Sequence, residues 1–337
     1  MKKRLALLHR NPAHASFAFI DWTLGNICNY ACSYCPKHLH DGSVRWPSPD
    51  EVLNFSQRAI EHYGSLGKKT FFAFSGGEPT AYKGMLTVLQ RLKQLGALTS
   101  VISNGSREIE WWDRAIPHLD SVTLTYHHEF SEFEHFSTLT NRLLEAGLRT
   151  HINVTMLLDR FEQCAANASA LAAQCPGASV ALKPLQHFGS NPLPDINDEK
   201  MMYSYTAEQK KVMAAFRPSP AKPHPVRGNM RWLYDDGSSQ ALGPRDLLLR
   251  GENRWHQWNC NAGVESIAIK ADGKVYRAVC RQGGLLGSIF DPSISLPRSA
   301  IQCGMEICPN LNDFRITKWR EDFPIESALD PRANPQV

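Results

Sequence analysis

Six strand-like runs alternate with helical patterns through the first 190 residues of this 337-residue chain, and that alternation constrains its fold more than any other feature. The runs are FAFIDWTL (17–24), TFFAFS (70–75), LTSVIS (98–103), DSVTLTYH (120–127), THINVTM (150–156) and SVALKPL (179–185). Helical patterns fill the gaps at 82–95, 107–116, 131–147 and 160–174. The first gap holds SPDEVLNFSQRAIEHYGSLG, where Ser48 and Glu51 stand at capping-box spacing, Pro49 takes the first helical position, and Gly64 and Gly67 mark the end. Regular strand–helix alternation implies a parallel sheet with right-handed crossovers. Six units fall short of a closed eight-stranded barrel, so the expected class is α/β with a partial (β/α)6 barrel.

The strands also show which side chains face inward. Val122, Leu124 and Tyr126 form one row against Thr123, Thr125 and His127, and Ile152, Val154 and Met156 oppose His151, Asn153 and Thr155. With helices outside, the apolar rows pack on helices and the polar rows face the lumen. A polar lumen is costly in a pure scaffold and favours a ligand cavity. Ligands bind at the carboxyl ends of such strands, which is where CNYACSYC, SGGEP, SNGS and YHHEF fall.

From about 189 to 256 the pattern breaks: GSNPLPDINDEK and RPSPAKPHPVRG are rich in turn formers and flank one helix-like run, SYTAEQKKVMAAF. Two short strands follow in CNAGVESIAIKADGKVYRAVC, joined by Asp272-Gly273, which reads as a two-residue hairpin turn. That register places Cys280 opposite Glu265. The expected organisation is an N-terminal extension (1–16), the partial barrel (17–188), a linking segment (189–256) and a small hairpin-containing domain (257–337).

A net charge of +4 without a Lys/Arg stripe gives nucleic acid little support as the main partner. The opening MKKRLALLHR has only four apolar residues in a row, too few for a secretory signal or a bilayer span, so a cytoplasmic protein without a membrane partner is expected. In that reducing compartment nine cysteines imply metal rather than disulfides. Cys164 and Cys175, in the Ala-rich FEQCAANASALAAQC, read as buried structural thiols.

The remaining seven fall into two groups. Cys28, Cys32 and Cys35 place three thiols on one short loop. A four-iron, four-sulfur cluster normally takes four cysteines; with three, one iron keeps an open position, as catalysis requires. Zinc is the plainer alternative.

Cys28-x3-Cys32-x2-Cys35, with Tyr34 before the last cysteine and a strand before the first, resembles the radical S-adenosylmethionine (SAM) enzymes, and FSGGEPT resembles their SAM amino-group motif. The resemblance covers about residues 17–188 and implies a TIM-like partial barrel. It implies a [4Fe–4S] cluster on Cys28, Cys32 and Cys35, and SAM held by Gly76, Gly77, Glu78 and Pro79, the glycines allowing close approach and Glu78 meeting a cationic head. By the same resemblance Tyr34, Ser103 and Asn104 contact the cofactor, and Asn153 is a further candidate. Many relatives read Ser-x-Asp-Gly on the fourth strand; this chain has Thr123-Leu124-Thr125-Tyr126, so Thr125 offers a hydroxyl in place of the acid. The implied chemistry is one-electron cleavage of SAM to a 5′-deoxyadenosyl radical that abstracts hydrogen, with a donor such as flavodoxin or ferredoxin.

Cys260, Cys280, Cys303 and Cys308 fit one auxiliary cluster, a second [4Fe–4S], and resemble the shortened "twitch" form of the SPASM extension. Zinc is the alternative there too. His127, which faces the expected lumen, and Lys183, on the sixth strand, are candidates for proton transfer or substrate binding; Trp232, Trp255 and Trp258 read as packing residues. The expected reaction is hydrogen abstraction from a small polar metabolite or peptide side chain with net oxidation through the auxiliary cluster. Redox-neutral epimerisation, viperin-like nucleotide modification, and a non-enzymatic iron–sulfur or zinc protein are the alternatives.

Overall fold

The computed structural model describes residues 2–185, 205–216 and 224–325. Residues 189–204 and 217–223 of the expected linking segment, and residues 326–337 of the C-terminal region, lie outside the described residues. In chain order the strands and helices are β1 (Arg4–His9), β2 (Phe17–Thr23), α1 (Pro49–Gly64), β3 (Lys69–Ser75), α2 (Met85–Gln94), β4 (Leu98–Ser103) and α3 (Ile109–Ala115). They continue as β5 (Ser121–Tyr126), α4 (Phe133–Glu145), β6 (Arg149–Met156), α5 (Phe161–Gln174), β7 (Ser179–Pro184) and α6 (Ala207–Ala215). The C-terminal part adds β8 (Met230–Tyr234), β9 (Ser239–Leu242), α7 (Pro244–Leu249), β10 (Asn259–Cys260), β11 (Ser266–Ile269), β12 (Lys274–Tyr276), β13 (Leu285–Ser288), β14 (Ile301–Gln302) and β15 (Lys318–Trp319). No helix among the described residues is long and apolar enough to cross a membrane.

The chain divides into two compact units, each built from separated segments: unit 1 holds Met1–Asp21, Asn54–Phe72 and Pro225–Val337, and unit 2 holds Trp22–Leu53 and Ala73–His224. In unit 2 the ends of β2 and β3 are followed by β4, β5, β6 and β7 in that order. β4 to β7 pair in parallel, with Val101 beside Val122, Leu124 beside Ile152 and Val154 beside Leu182. The fold is therefore mixed α/β with a parallel sheet, in the order of a partial (β/α)6 barrel. The helices close over its apolar rows. Met85, Val88, Leu89 and Leu92 of α2, and Phe136, Leu139, Thr140 and Leu143 of α4, are the buried faces at helical spacing. Val122, Leu124, Ile152, Val154 and Met156 are fully buried, while Thr123, His151 and Asn153 on the other row keep partial exposure. At the start of α1 the capping box is present: the Ser48 amide donates to Glu51 Oε2 at 2.6 Å, and the Glu51 amide donates to Ser48 Oγ at 3.2 Å.

Unit 1 contains a six-stranded sheet in the order β14-β10-β15-β1-β8-β9. The expected N-terminal extension thus contributes an interior strand. β1 runs antiparallel to both β8 and β15, and Ala6, Leu7 and Leu8 are at most 2% exposed. Trp232, Trp255 and Trp258 share one apolar cluster with Leu7, Met230, Leu247, Cys308 and Phe314. The β11–β12 hairpin differs from expectation by one residue. Ile269 pairs with Val275, Lys270 N–H donates to Lys274 O at 2.9 Å, and Gly273 N–H donates back to Lys270 O at 2.8 Å. The loop is Ala271-Asp272-Gly273, with Gly273 at φ +79°, which is the three-residue turn closed by a left-handed glycine. Carrying that register on would set Cys280 level with Val264, not Glu265, although the paired strand stops at Tyr276. In sequence the Asp-Gly pair fits either loop; strand pairing chose the longer.

Candidate functional site

The loop that leaves β2 is organised by Asn26, which is 3% exposed. Its amide nitrogen donates to His38 O, Asp41 Oδ1 and Ser43 Oγ at 2.7–3.0 Å, and its oxygen accepts from the Val44 amide at 2.9 Å. This one side chain closes the loop bearing Cys28, Cys32 and Cys35. The Cys35 amide donates to Cys32 O at 3.0 Å, and Tyr30 N–H points at Cys28 Sγ at 3.4 Å. The three thiols lie within electrostatic range of one another. Burial raises each thiol's pKa, Cys32's to about 11, and the neighbouring sulfurs push Cys32 and Cys35 further the same way. Soft thiol donors crowded on one loop suit an iron–sulfur cluster, which takes them as thiolates and removes that mutual penalty.

The Gly-Gly-Glu-Pro turn after β3 lies against the start of this loop. Gly77 has φ +50°, and a Cβ there would overlap the carbonyl of Ile27. The Glu78 amide donates to Ile27 O at 2.8 Å. What the glycines allow is therefore contact of backbone with backbone, one residue before Cys28. Glu78 is 1% exposed. Its Oε1 accepts from the Thr80 amide, Thr80 Oγ1 and Ser103 Oγ at 2.7–2.9 Å, and its Oε2 from the Asn104 amide at 2.7 Å. Burial raises its pKa, and those four donors work the other way. Oε2, with one donor, retains accepting capacity for a cationic group. Pro79 opens a short turn over Pro79–Ala81 capped by Glu78.

A third loop, after β4, is tied to both. Asn104 Nδ2 donates to Asn29 Oδ1 at 3.0 Å, and Asn29 Nδ2 donates to Ser106 Oγ at 2.8 Å. Ser103 and Asn104 thus link the Glu78 turn to the cysteine loop. Asn26, Asn29, Thr80 and Ser106 are members of this arrangement that sequence reading did not single out. A lone Asn in a loop carries no periodic signal, and only the fold shows what it bridges.

The loop after β5 lies over the cysteines. His127 Nδ1 stands 3.6 Å from Cys32 Sγ and is hydrogen-bonded with the Tyr34 hydroxyl, and the Tyr34 and His127 rings stack with 10° between their planes. Glu129 accepts from the Ser33 amide at 2.7 Å and from the Ser33 hydroxyl. His127 therefore sits behind a thiol rather than standing free toward a substrate. Burial, reinforced by the Lys183 charge, lowers its pKa to about 4. Thr125 and Asn153 are register partners on β5 and β6, and His151 Nε2 lies 3.2 Å from Asn153 Oδ1. Lys183 on β7 pairs with Thr155. Lys183 is exposed as a residue, yet desolvation by the surrounding protein lowers the pKa of its ammonium, with Cys35 acting in the opposite sense.

In unit 1, Cys260, Cys280, Cys303 and Cys308 are each 6–9% exposed. Burial raises the Cys260 thiol to about 11 and raises Cys280 and Cys308 as well, with further contributions from the other sulfurs of the set. The Cys280 amide donates to Asp313 Oδ2 at 2.7 Å, and Cys303 and Trp258 are joined by the Cys303 amide to Trp258 O at 2.7 Å. Lys318 is 2% exposed and donates to Asp313 O and Ile316 O at 2.6 and 2.9 Å. Desolvation opposes its charge, but Cys260, Cys308 and Asp313 outweigh that and raise its pKa. Cys260, Cys280 and Cys308 lie within electrostatic range of the Lys318 ammonium, and Cys303 within range of Cys260 and Cys308; buried thiols beside a buried ammonium suit an anionic thiolate-bound centre. Among the described residues no three His, Cys, Asp or Glu side chains are grouped to hold a single metal ion.

Residues 22–163 match the family model described as the Radical SAM superfamily. Two curated relatives, each named "Probable GTP 3′,8-cyclase", align with part of the chain. That of Sulfurisphaera tokodaii is 33% identical over 84 residues, 25% of this chain and 25% of its own length. That of Pyrococcus horikoshii is 32% identical over 79 residues, 23% and 24% of the two lengths. The chain thus spans about a quarter of the curated relatives it matches. Among solved structures, Streptococcus suis SuiB bound to S-adenosylmethionine superposes with a TM-score of 0.50 at 13% identity, covering 82% of this chain and 64% of that one, a likeness of fold. Residues 22–163 accordingly carry a radical SAM domain, a type that implies a [4Fe–4S] cluster and SAM.

Proposed function

We propose that the protein is a radical SAM enzyme that abstracts hydrogen from a small polar metabolite or a peptide side chain and oxidises it with the help of a second cluster. The observation that carries this reading is the contact of the Gly76–Pro79 turn with the backbone at Ile27, which sets a buried carboxylate against the start of the loop that bears Cys28, Cys32 and Cys35. When bound, the cluster and SAM supply a 5′-deoxyadenosyl radical by one-electron cleavage of the sulfonium carbon–sulfur bond. Cys28, Cys32 and Cys35 would hold the cluster and leave one iron open. Glu78, through Oε2, would accept from the amino group of SAM. Asn104 and Ser103 hold that carboxylate in place, and Thr125 and Asn153 offer polar groups in register on the neighbouring strands. His127 would donate to, or orient, the Cys32 sulfur, and Lys183 would bind or protonate the substrate.

Cys260, Cys280, Cys303 and Cys308 would hold the auxiliary cluster, which when bound would supply an acceptor for the electron left on the substrate. The buried Lys318 supports an anionic centre there. Redox-neutral chemistry needs a thiol to return a hydrogen atom. With both sets ligated, only Cys164 and Cys175 remain, and both are fully buried, Cys164 against the Leu157 amide and Cys175 against Ser137 O. That favours oxidation.

Anaerobic reconstitution with iron, sulfide, SAM and dithionite tests the reading. The expected product is 5′-deoxyadenosine, absent in Cys32→Ala. Its absence from the reconstituted wild-type chain, or zinc bound at Cys28, Cys32 and Cys35, would overturn it.

A further inference from the structure

We propose that Lys318 sets the reduction potential of the centre held by Cys260, Cys280, Cys303 and Cys308, and so fits that centre to accept an electron. This rests on the auxiliary-cluster reading above and adds the residue that makes an acceptor of it. All the groups involved belong to unit 1.

Geometry ties Lys318 to three of the thiols. On β15 it is the antiparallel partner of Cys260 on β10, so the two side chains leave the sheet on the same face. Asp313 links it to the second: Lys318 Nζ donates to Asp313 O at 2.6 Å, and the Cys280 amide donates to Asp313 Oδ2 at 2.7 Å. Cys260 and Cys280 share an apolar cluster with Ile316, whose carbonyl also accepts from Lys318 Nζ, at 2.9 Å. Trp255 provides the link to the third. The ammonium lies 4.7 Å from the centroid of the Trp255 ring, and Trp255 shares an apolar cluster with Cys308. Two residues before Trp255, Asn253 O accepts from the Cys308 amide at 2.8 Å and Asn253 Nδ2 donates to Cys308 O at 3.0 Å.

Two buried groups in this arrangement call for an anionic, sulfur-rich neighbour. Lys318 is 2% exposed, and what holds its ammonium is two carbonyls and an indole face, none of them an anion. The Asp313 carboxylate is turned to other donors, the Val279 and Cys280 amides, at 3.2 and 2.7 Å. Trp255 is 1% exposed, and its indole N–H is buried without a hydrogen-bond partner, a donor that a sulfur could satisfy.

Reduction adds one negative charge to such a centre. A fixed cation beside the thiolates stabilises that charge, more strongly when buried than in water, and so raises the potential. Asp313, within electrostatic range of Cys260, Cys280 and Cys308, works against it. In the oxidation proposed above, the substrate radical gives one electron to the centre and one proton to water, and a one-electron carrier protein takes the electron on.

The test is a redox titration of the anaerobically reconstituted full chain, followed by electron paramagnetic resonance, with iron counted in the same samples. Lys318→Met should retain about eight irons. It should lower the midpoint of the second signal by tenfold or more in the reduction equilibrium, about 59 mV for a one-electron couple. Lys318→Arg keeps the charge and should stay within that margin. Asp313→Asn should move the midpoint the opposite way, an opposition of sign that a merely structural defect would not give. A midpoint unmoved in Lys318→Met overturns the proposal; where that variant loses its iron, a midpoint unmoved or lowered in Asp313→Asn overturns it. About four irons in the unaltered chain, or zinc at the second cysteine set, removes the auxiliary-cluster reading and this role with it. A second signal whose midpoint ignores Lys318 removes this role alone.

Discussion

Gly77 shows how much one missing Cβ decides. Its backbone passes so close to Ile27 that Gly77→Ala meets both a positive φ and a carbonyl oxygen. The expected loss is at least about 2 kcal/mol in urea unfolding, together with reduced iron retention at Cys28, Cys32 and Cys35. Glu265, in unit 1, carries a pH signature. Burial alone would raise its carboxyl, but the hydrogen bond and charge of His9, the Lys68 ammonium and the Thr317 amide together lower it to about 2. A carboxyl depressed in the folded state stabilises above its unfolded value, which is 4.5 here, and that stability is lost as pH falls from there through 2. The contribution is at most about 3 kcal/mol. Glu265→Gln should flatten the stability profile between those two pH values, as measured by denaturant midpoints. The glycines of the motif could be read from sequence. The partner they approach could not, because a sequence motif names a ligand-binding turn without saying which backbone it packs against.

At the scale of elements, α1 begins with a reciprocal cap that its sequence announces. Ser48→Ala removes the acceptor for the Glu51 amide and should cost about 1 kcal/mol, measured by thermal or chemical unfolding. The six strands and the five helices expected in residues 17–188 recur within a residue or three of their expected bounds, because buried faces repeat locally at periods of two and 3.6. The short strands of unit 1 left no such trace. β10, β14 and β15 are two residues each, and their existence depends on distant partners, as Asn259 pairs with both Gln302 and Trp319. β1 was hidden for a related reason: Leu5 to Leu8 show no alternation, since a strand interior to its sheet can be buried on both faces.

Over the whole molecule, iron content separates the cluster models. Anaerobically reconstituted chain should carry about eight irons, and replacing Cys260, Cys280, Cys303 and Cys308 together should leave about four. Four irons in the unaltered chain would remove the auxiliary cluster from the scheme. Truncation after residue 224 takes away β8 and β15, between which β1 lies. Ala6, Leu7 and Leu8 would then face water, so the shortened chain should bind a hydrophobic dye and aggregate where the full chain does not. By itself the sequence determined the strand–helix order of the parallel sheet, the three-thiol loop and the Gly-Gly-Glu-Pro turn, since each is written in residues adjacent along the chain. Tertiary structure alone decided that residues 4–9 form an interior strand of unit 1 and that the hairpin loop holds three residues. It also decided that Glu78 is shared by Thr80, Ser103 and Asn104, and that His127 stands behind Cys32. Those outcomes depend on which distant segments gain most by burying their apolar faces and pairing their backbone groups with one another, and no local pattern records that choice.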